Sequence, residues 1–203
     1  CSKEISSEKF LVCLGDNIFH GSGIIPALSN FFRDKKFGAK IFLKYVYNPE
    51  FFGVAKIIKK TLKKLVEKPK NLISNYAVTG IYGFDKNIFD IIYHLKLSAR
   101  GEYEIIDVLN NYLDKKRLDH HILGRGISWL DTGTISNLNK ASNFVESLQS
   151  MSGSLIGSPE EASFRMKLIN EKQLKILCDN YGSSEYGNAL NNVIKESNVK
   201  NTV

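Results

Sequence analysis

The chain has 203 residues, of which 43% are hydrophobic and 24% charged, with 15 Gly and only 4 Pro. This length suffices for one α/β domain with a buried core, and the composition excludes collagen, low-complexity disorder and coiled coil. No apolar run approaches the roughly 18 to 20 residues of a membrane span, so no membrane partner is expected. The formal net charge of +7 suits anion binding but also an ordinary basic surface.

The three cysteines, Cys1, Cys13 and Cys178, are odd in number and show no metal or redox spacing. A disulfide framework and a cysteine-based zinc site are therefore not expected, and a reducing cytoplasm fits best. The chain begins with Cys1 rather than Met and opens without a basic and apolar leader. A lipid-anchored start at Cys1 is one explanation, but we favour a missing upstream segment because a buried strand, and not a long flexible tether, follows within about ten positions.

The opening of the chain predicts a strand, a helix and a second strand. Residues 10–14 form a short apolar run that ends just before Asp16, which is typical of a buried parallel strand. Pro26 lies in the first turn of an apolar-periodic segment that stops before Gly38, as a helix does. Residues 39–46 alternate as a strand does, so we predict a βαβ unit.

The segment 55–66 gives conflicting signals. Ile58, Leu62 and Leu65 follow a helical period, with lysines between them. Seven lysines fall within residues 56–70 without any aromatic residue, whereas a nucleic-acid site would need aromatics or a known module. A solvated lysine face is therefore preferred and no nucleic-acid partner is expected. The rival hypothesis, salt-sensitive binding of DNA or RNA, is open to direct test.

Two strands and two helices are predicted in the middle of the chain. The strands are residues 76–84 and 127–130, and the helices are residues 87–95 and 102–113. The second helix would bury one face, made of Tyr103, Ile106, Leu109, Tyr112 and Leu113.

The last third of the chain is predicted to be helical, with helices at residues 135–149 and 160–179. The second helix opens with a capping box at Ser158 and has Pro159 as its first residue. The polar end after Tyr181 predicts a frayed terminus. We expect a single α/β domain over residues 1–203, of which residues 151–203 are the helical C-terminal part.

Two aspartates follow apolar strands directly, Asp16 in LGDN and Asp131 in WLDTGT. Ligands of open α/β sheets bind beyond the carboxyl ends of the strands, so the two acids can converge at one sheet edge. Paired carboxylates there suit Mg²⁺, which takes one or two protein carboxylates and completes its shell with water and phosphates. For either aspartate alone, a turn or a helix cap is the alternative.

Glu67-Lys68-Pro69 is a second candidate for binding. Pro69 biases Lys68 to an extended conformation at a strand end, where its ammonium group suits a phosphate and Glu67 suits sugar hydroxyls. Arg100 in SARGEYE precedes a helix start, where an arginine and free backbone N–H groups bind anions. A surface arginine that caps the helix is the alternative.

Other chemistries find no support. The histidines lack zinc-site spacing, no serine nucleophile elbow is present, and neither G-x-G-x-x-G nor G-x-x-x-x-G-K-[ST] occurs. The segment His20-Gly21-Ser22-Gly23 could bind an anion before a helix, but a turn explains it as well.

An ordered set of motifs covers the chain from Leu11 to about Tyr186: LGDNIFHG, PEFFGVA, LVEKP, SNYAVTGIYGFD, SARGEYEIIDVLNNY, GRGISWLDTGT and SPEEASFR. The set resembles the bacterial glucose-1-phosphate thymidylyltransferases, within the sugar-phosphate nucleotidyltransferases. The resemblance implies the Rossmann-like fold of nucleotide-diphospho-sugar transferases, here as an incomplete mixed sheet with C-terminal helices. It also implies a Mg²⁺-dependent transfer between dTTP and glucose 1-phosphate that gives dTDP-glucose and pyrophosphate, for cell-surface polysaccharide synthesis in the cytoplasm.

By this resemblance Asp16 and Asp131 would hold Mg²⁺, and Lys68 and Arg100 would act on the sugar phosphate. Glucose hydroxyls would be held by Glu67 and by the backbone at Gly53 and Val78. A phosphoryl-type transfer requires positioning and charge neutralisation and no covalent nucleophile, which agrees with the residues themselves.

The family also carries a regulatory nucleotide site and is expected to form a homotetramer. The corresponding residues here would be Gly21, Arg125, Glu161 and Arg165. The two arginines suit a phosphate but could equally form structural ion pairs with Glu160 or Glu161.

The chain departs from the family at several points. It lacks the N-terminal third with the G-x-G-T-R-x-x-P loop, so we expect an exposed strand edge and little or no transferase activity. Phe52 stands where a tyrosine is usual and Ile106 where a threonine is usual. The family implies two strands in the lysine-rich segment, and we favour strands over a helix there. The alternative function is an inactive remnant that binds a sugar phosphate or a nucleotide at most.

Overall fold

The computed structural model describes residues 4–200, and the burial of side chains as far as residue 197. Cys1, considered above as a lipid-anchored start, lies outside the described residues. The chain divides into two compact units, the first ending at Gly133 and the second beginning at Thr134. Each unit has its own buried apolar core. The single domain over residues 1–203 and its helical part at 151–203 stay predictions.

The first unit contains eight strands and three helices among its described residues. The strands are β1 (Lys9–Cys13), β2 (Asn17–His20), β3 (Ala39–Tyr45), β4 (Gly53–Ile58), β5 (Thr61–Glu67), β6 (Tyr76–Asp85), β7 (Leu118–Ile122) and β8 (Ser128–Asp131). The helices are α1 (Ile24–Arg33), α2 (Ile88–Tyr93) and α3 (Ile105–Asp114), and Pro49–Phe51 form a short 3₁₀ turn.

The main sheet is mixed, as predicted. Its order is β5-β4-β6-β3-β7, and β1 adds to β6 beyond the end of β4. Strands β3 and β7 pair in parallel, and the other pairs are antiparallel. β7 was not predicted, because its sequence LDHHI lacks an apolar alternation. Strands β2 and β8 form a separate two-stranded antiparallel sheet.

The prediction of a buried parallel strand at residues 10–14 is wrong in two respects. β1 runs antiparallel to its partner β6, and it is only half-buried. β1 and β3 are each antiparallel to β6 and therefore run parallel to each other. They are not adjacent, because β6 lies between them. Within residues 4–200, β1 pairs with no strand other than β6.

The lysine-rich segment forms the hairpin β4–β5, which confirms strands over a helix. Lys59 and Lys60 make the turn with φ of 48° and 63°, a conformation for which Asn-Gly is the usual sequence. The pairing shifts by one residue between Lys56 and Ile57, so the strand alternation changes phase. Leu62 and Leu65 are consequently both buried although three positions separate them. The same spacing occurs on one face of a helix, which explains the helical pattern in the sequence.

Helices cover both faces of the main sheet. Neighbouring residues of β3 point to opposite faces and therefore contact different helices. Ile41 and Leu43 pack with α3, and Phe42 packs with residues of α1. In α3 the buried residues Ile106, Leu109 and Tyr112 confirm the predicted apolar face. Tyr103 does not belong to it, since α3 begins only at Ile105 and Tyr103 is 68% exposed.

The second unit consists of α4 (Ile135–Ser152), α5 (Pro159–Arg165), α6 (Glu171–Tyr181) and α7 (Glu185–Lys200). The single helix predicted over residues 160–179 is wrong, because Lys167 adopts φ of 59° and a capping box of Asn170 and Gln173 starts α6 anew. The frayed end predicted after Tyr181 is also wrong, since α7 buries Leu190 against α6. No helix among the described residues has the length and apolarity needed to cross a bilayer.

Candidate functional site

The carboxylates of Asp16 and Asp131 converge on one point. A methyl group built on Gly133 would lie 3.6 Å from Asp131 Oδ1, 3.7 Å from Asp131 Oδ2 and 3.9 Å from Asp16 Oδ2. Gly133 leaves that space open, so the two carboxylates face a common cradle.

The reason for this convergence differs from the expected one. Asp131 does not end a strand of the main sheet, because it ends β8 in the two-stranded sheet. There Asp131 pairs with Asn17, the residue after Asp16. The loop is fixed further by Thr132, whose backbone N–H and hydroxyl both donate to the Asp16 carbonyl at 2.8 Å. The antiparallel register of β2 and β8 therefore brings the two carboxylates together. They do not meet as the ends of two strands of one open sheet.

The electrostatics of Asp131 agree with a site for a cation. Burial raises the pKa of Asp131, and the charge of Asp16 raises it further. A backbone hydrogen bond from Gly133 and the charge of Lys68 act in the opposite direction. The ionised pair is thus under mutual repulsion that a divalent cation between the carboxylates would relieve.

These donors fit Mg²⁺. One or two carboxylates are the usual protein contribution to a magnesium site that binds phosphates. Within residues 4–200, no cluster of three or more His, Cys, Asp or Glu side chains is suited to a metal. Asp16 and Gly133 are exposed and Asp131 is half-buried, so water and phosphate oxygens can reach the two carboxylates. Magnesium binding by Asp16 and Asp131 stays a prediction that the geometry supports.

Glu67 and Lys68 lie at the end of β5, opposite Gly53 at the start of β4. A methyl group on Gly53 would lie 2.5 Å from Ile106 Cδ1 and 3.2 Å from Glu67 Oε2, so the backbone approaches Glu67 closely. Lys68 is not extended as predicted, because its φ is 38°. A hydrogen bond of 3.0 Å from its N–H to the Phe52 carbonyl holds this conformation against the bias from Pro69.

Arg100 is surrounded by carboxylates. Its guanidinium group lies 3.0 Å from Glu102, 3.4 Å from Glu104 and 3.7 Å from Glu67. Burial raises the pKa of Glu67, the charge of Glu104 raises it further, and the charges of Lys68 and Arg100 lower it. Arg100 lies in the loop before α3 and not at the helix start itself.

The metal-binding and sugar-binding candidates form one neighbourhood. Lys68 acts electrostatically on both Asp131 and Glu67. Burial raises the pKa of Tyr82, and the charges of Glu67 and Asp16 raise it further. Val78, on the same strand as Tyr82, is buried opposite Leu43.

Sequence reasoning missed Asn17, Trp129 and Glu104 as contributors to this neighbourhood. Asn17 Nδ2 donates to Asp16 Oδ1 at 2.8 Å, and Trp129 Nε1 donates to Asn17 Oδ1 at 2.6 Å. Phe52 lies against Trp129 with ring centroids 5.0 Å apart. Glu104 is buried beside Arg100. Only the adjacency of Asn17 to Asp16 in LGDN, and of Trp129 to the segment LDTGT, could have drawn attention to them.

The four residues assigned to a regulatory site fall in different units. In the first unit Gly21 packs so closely on Gly126 that a methyl group would lie 2.5 Å from the Gly126 carbonyl oxygen. Arg125 lies in the same loop. In the second unit Arg165 donates to Glu161 at 2.6 Å, which is one of the structural ion pairs considered above. A joint nucleotide site of these residues stays a prediction.

Comparison with known proteins gives concordant results. Residues 1–148 match the family model described as nucleotidyl transferase. Glucose-1-phosphate thymidylyltransferase of Mycolicibacterium smegmatis is 40% identical over 187 residues, covering 92% of this chain and 64% of the relative. The Xanthomonas campestris pv. campestris B100 protein of that name is also 40% identical, with coverages of 92% and 63%. The chain thus spans somewhat less than two thirds of these curated relatives.

Solved structures agree. A Bacillus anthracis protein named as a glucose-1-phosphate thymidylyltransferase, in complex with sucrose, is 41% identical with a TM-score of 0.64, covering 71% of this chain and 57% of that chain. A UDP-glucose pyrophosphorylase complexed with UDP-glucose is 23% identical with a TM-score of 0.63. The match covers 72% of this chain and 59% of the pyrophosphorylase chain, and it shows the shared fold. Because the family model matches well over half of the chain and the mixed sheet agrees with these folds, the chain belongs to the nucleotidyl transferase family.

Proposed function

We propose that this protein acts in the synthesis of dTDP-glucose, by transfer of a thymidylyl group from dTTP to glucose 1-phosphate with release of pyrophosphate. The observation that carries the proposal is the convergence of Asp16 and Asp131 in one neighbourhood with Lys68 and Glu67. The names of the relatives that match over nine tenths of the chain support the choice of substrates.

The described residues supply the acceptor side of this reaction. Glu67, held beside the Gly53 backbone, accepts hydrogen bonds from glucose hydroxyls. Lys68 and Arg100 neutralise the phosphate of glucose 1-phosphate. Glu102 and Glu104 contact Arg100 directly, and the five N–H donors of the half-exposed guanidinium leave others for the phosphate.

The transfer needs no covalent intermediate on the protein. A phosphate oxygen of glucose 1-phosphate attacks the α-phosphorus of dTTP, a new O–P bond forms, and the bond from the α-phosphorus to the bridging oxygen breaks as pyrophosphate leaves. Mg²⁺ held by Asp16 and Asp131 would neutralise the phosphate oxygens. Lys68 reduces the repulsion between the two anionic substrates, and the site contributes mainly positioning.

Isothermal titration calorimetry with glucose 1-phosphate and Mg²⁺ tests the acceptor site. We expect one site per chain, and Lys68→Ala should weaken binding by about tenfold or more, because a hydrogen bond to a charged phosphate contributes roughly 1.5–3 kcal/mol. Lys70→Ala is the matched control, since Lys70 is an exposed lysine two positions further along and makes no ion pair among the described residues. An equal loss in both variants would mean general charge attraction.

Turnover of dTTP tests the rest of the proposal. The sequence contains no G-x-G-T-R-x-x-P loop, so we expect acceptor binding with little formation of dTDP-glucose by these 203 residues alone. Product well above an Asp16→Asn control would overturn that expectation while supporting the function. Binding of neither glucose 1-phosphate nor dTTP would overturn the function and favour the inactive remnant.

A further inference from the structure

We infer that Asn17 is a positioning residue that fixes the carboxylate of Asp16 for its cation. The inference rests on the proposed function and deepens it, because it names the group that orients one of the two expected metal ligands. Asp16 is exposed and lies in the loop between β1 and β2, so nothing in its own backbone element restricts its rotamer.

The Asn17 amide is held from two sides. Its Oδ1 accepts hydrogen bonds from Trp129 Nε1 at 2.6 Å and from the Gly80 backbone N–H at 3.1 Å. Trp129 belongs to β8 of the two-stranded sheet and Gly80 to β6 of the main sheet, so each sheet of the first unit contributes a donor. An amide oxygen has two lone pairs, and both are occupied. A flipped amide would place its NH₂ group against two donors, so the orientation is fixed.

With that orientation, Asn17 Nδ2 faces Asp16 and donates to Asp16 Oδ1 at 2.8 Å. The other oxygen, Asp16 Oδ2, is the one that faces the cradle at Gly133. The two oxygens thus have different tasks: Oδ1 anchors the carboxylate and Oδ2 is presented to the cation. A ligand ordered in advance loses less conformational freedom when the metal binds.

Gly80 shows how tightly the amide is placed. A methyl group at Gly80 would lie 2.5 Å from Asn17 Cγ, 2.6 Å from Oδ1 and 2.8 Å from Nδ2. No side chain fits there unless the amide moves. A glycine inside a central strand lowers strand stability, and close approach of another group is the physical reason to keep it. Gly80→Ala therefore displaces the amide without removing it.

The test uses Mn²⁺ as the probe, with binding to the full chain followed by electron paramagnetic resonance and competition by Mg²⁺. We expect Asn17→Ala and Gly80→Ala each to weaken Mn²⁺ binding by roughly tenfold or more, as loss of outer-shell partners does in metal sites. Trp129→Phe removes one donor and keeps the ring, so it should give a smaller loss and remain folded. Circular dichroism of each variant at the assay temperature checks folding.

Asn75→Ala is the matched control. Its Nδ2 donates to the Val46 carbonyl at 2.9 Å in the same unit, so this variant loses a comparable amide bond that has no contact with either aspartate. It should bind Mn²⁺ as the unaltered chain does. Equal affinity of the unaltered chain, Asn17→Ala and Gly80→Ala would overturn the positioning role while leaving the metal site intact. Failure of the unaltered chain to bind Mn²⁺ would overturn the metal site of the proposed function and the positioning role with it.

Discussion

At Asp131 the requirements of folding and of cation binding oppose each other. Its pKa is raised above the ordinary 3.8 by burial and then by the charge of Asp16. At pH values between the ordinary pKa and the raised pKa, the folded state binds more protons than the unfolded state. The free energy of unfolding therefore falls as the pH rises through this range. The ionised carboxylate consequently destabilises the metal-free fold at neutral pH, a cost that functional sites commonly carry.

Asp131→Asn should therefore raise the melting temperature by a few degrees at pH 7 in the presence of a chelator. The amide keeps an acceptor for the Gly133 N–H and removes the repulsion from Asp16. The gain should vanish near about pH 3, where the carboxylate is already protonated. Thermal melts at both pH values measure this, with the exposed Glu50→Gln as control. A gain of equal size at both pH values would contradict the electrostatic explanation.

At the scale of elements, the hairpin β4–β5 shows a local conflict between sequence and conformation. Lys59 and Lys60 both have positive φ, in a turn where Asn-Gly is favoured. Lys56 and Lys64 also stand directly opposite each other across the two strands, and like charges so placed are destabilising. The burial of Leu62 and Leu65 in the core offsets these costs.

The double variant Lys59→Asn, Lys60→Gly should raise the free energy of unfolding by about 1–2 kcal/mol, because both residues then adopt positive φ at little cost. Urea denaturation measures the change. Lys59→Gln, Lys60→Gln removes the same two charges without favouring positive φ, and it should give a clearly smaller gain. If the two double variants stabilise equally, charge repulsion and not turn conformation limits the hairpin.

At the scale of the whole molecule, the two units have separate cores. The first unit packs its sheet between α1 on one face and α2 and α3 on the other, and it contains every residue of the acceptor and metal neighbourhood described above. The second unit buries Leu174, Cys178 and Leu190 among its own helices. Its stability can therefore be altered through residues that contact neither substrate candidate.

Leu190→Ala should lower the stability of the second unit by about 2–5 kcal/mol, as truncation of a fully buried leucine does. Trp129 is the only tryptophan of the chain and lies in the first unit, so its fluorescence reports on that unit. We expect the helical signal in circular dichroism to shift to lower temperature and the Trp129 transition to stay. Leu138→Ala, at a half-exposed leucine of α4, is the control. An equal shift of both signals would contradict independent units.

The sequence determined most elements and the composition of the candidate site. Apolar periodicity and the residues at helix starts located α1 and the buried face of α3, and the motifs around Asp16, Lys68 and Arg100 identified the groups that carry charge. These features depend on residues within a few positions of one another, where periodicity and capping are informative.

Tertiary structure decided what depends on distant partners. The bulge in β4–β5 set which leucines are buried, and the core contacts of Leu190 ordered α7 despite its polar sequence. The pairing of Asn17 with Asp131, and not a shared sheet edge, brought the two carboxylates together, and the Gly80 and Trp129 donors fixed the amide between them. Strand register and close packing join residues far apart in the chain, so no local pattern in the sequence specifies them.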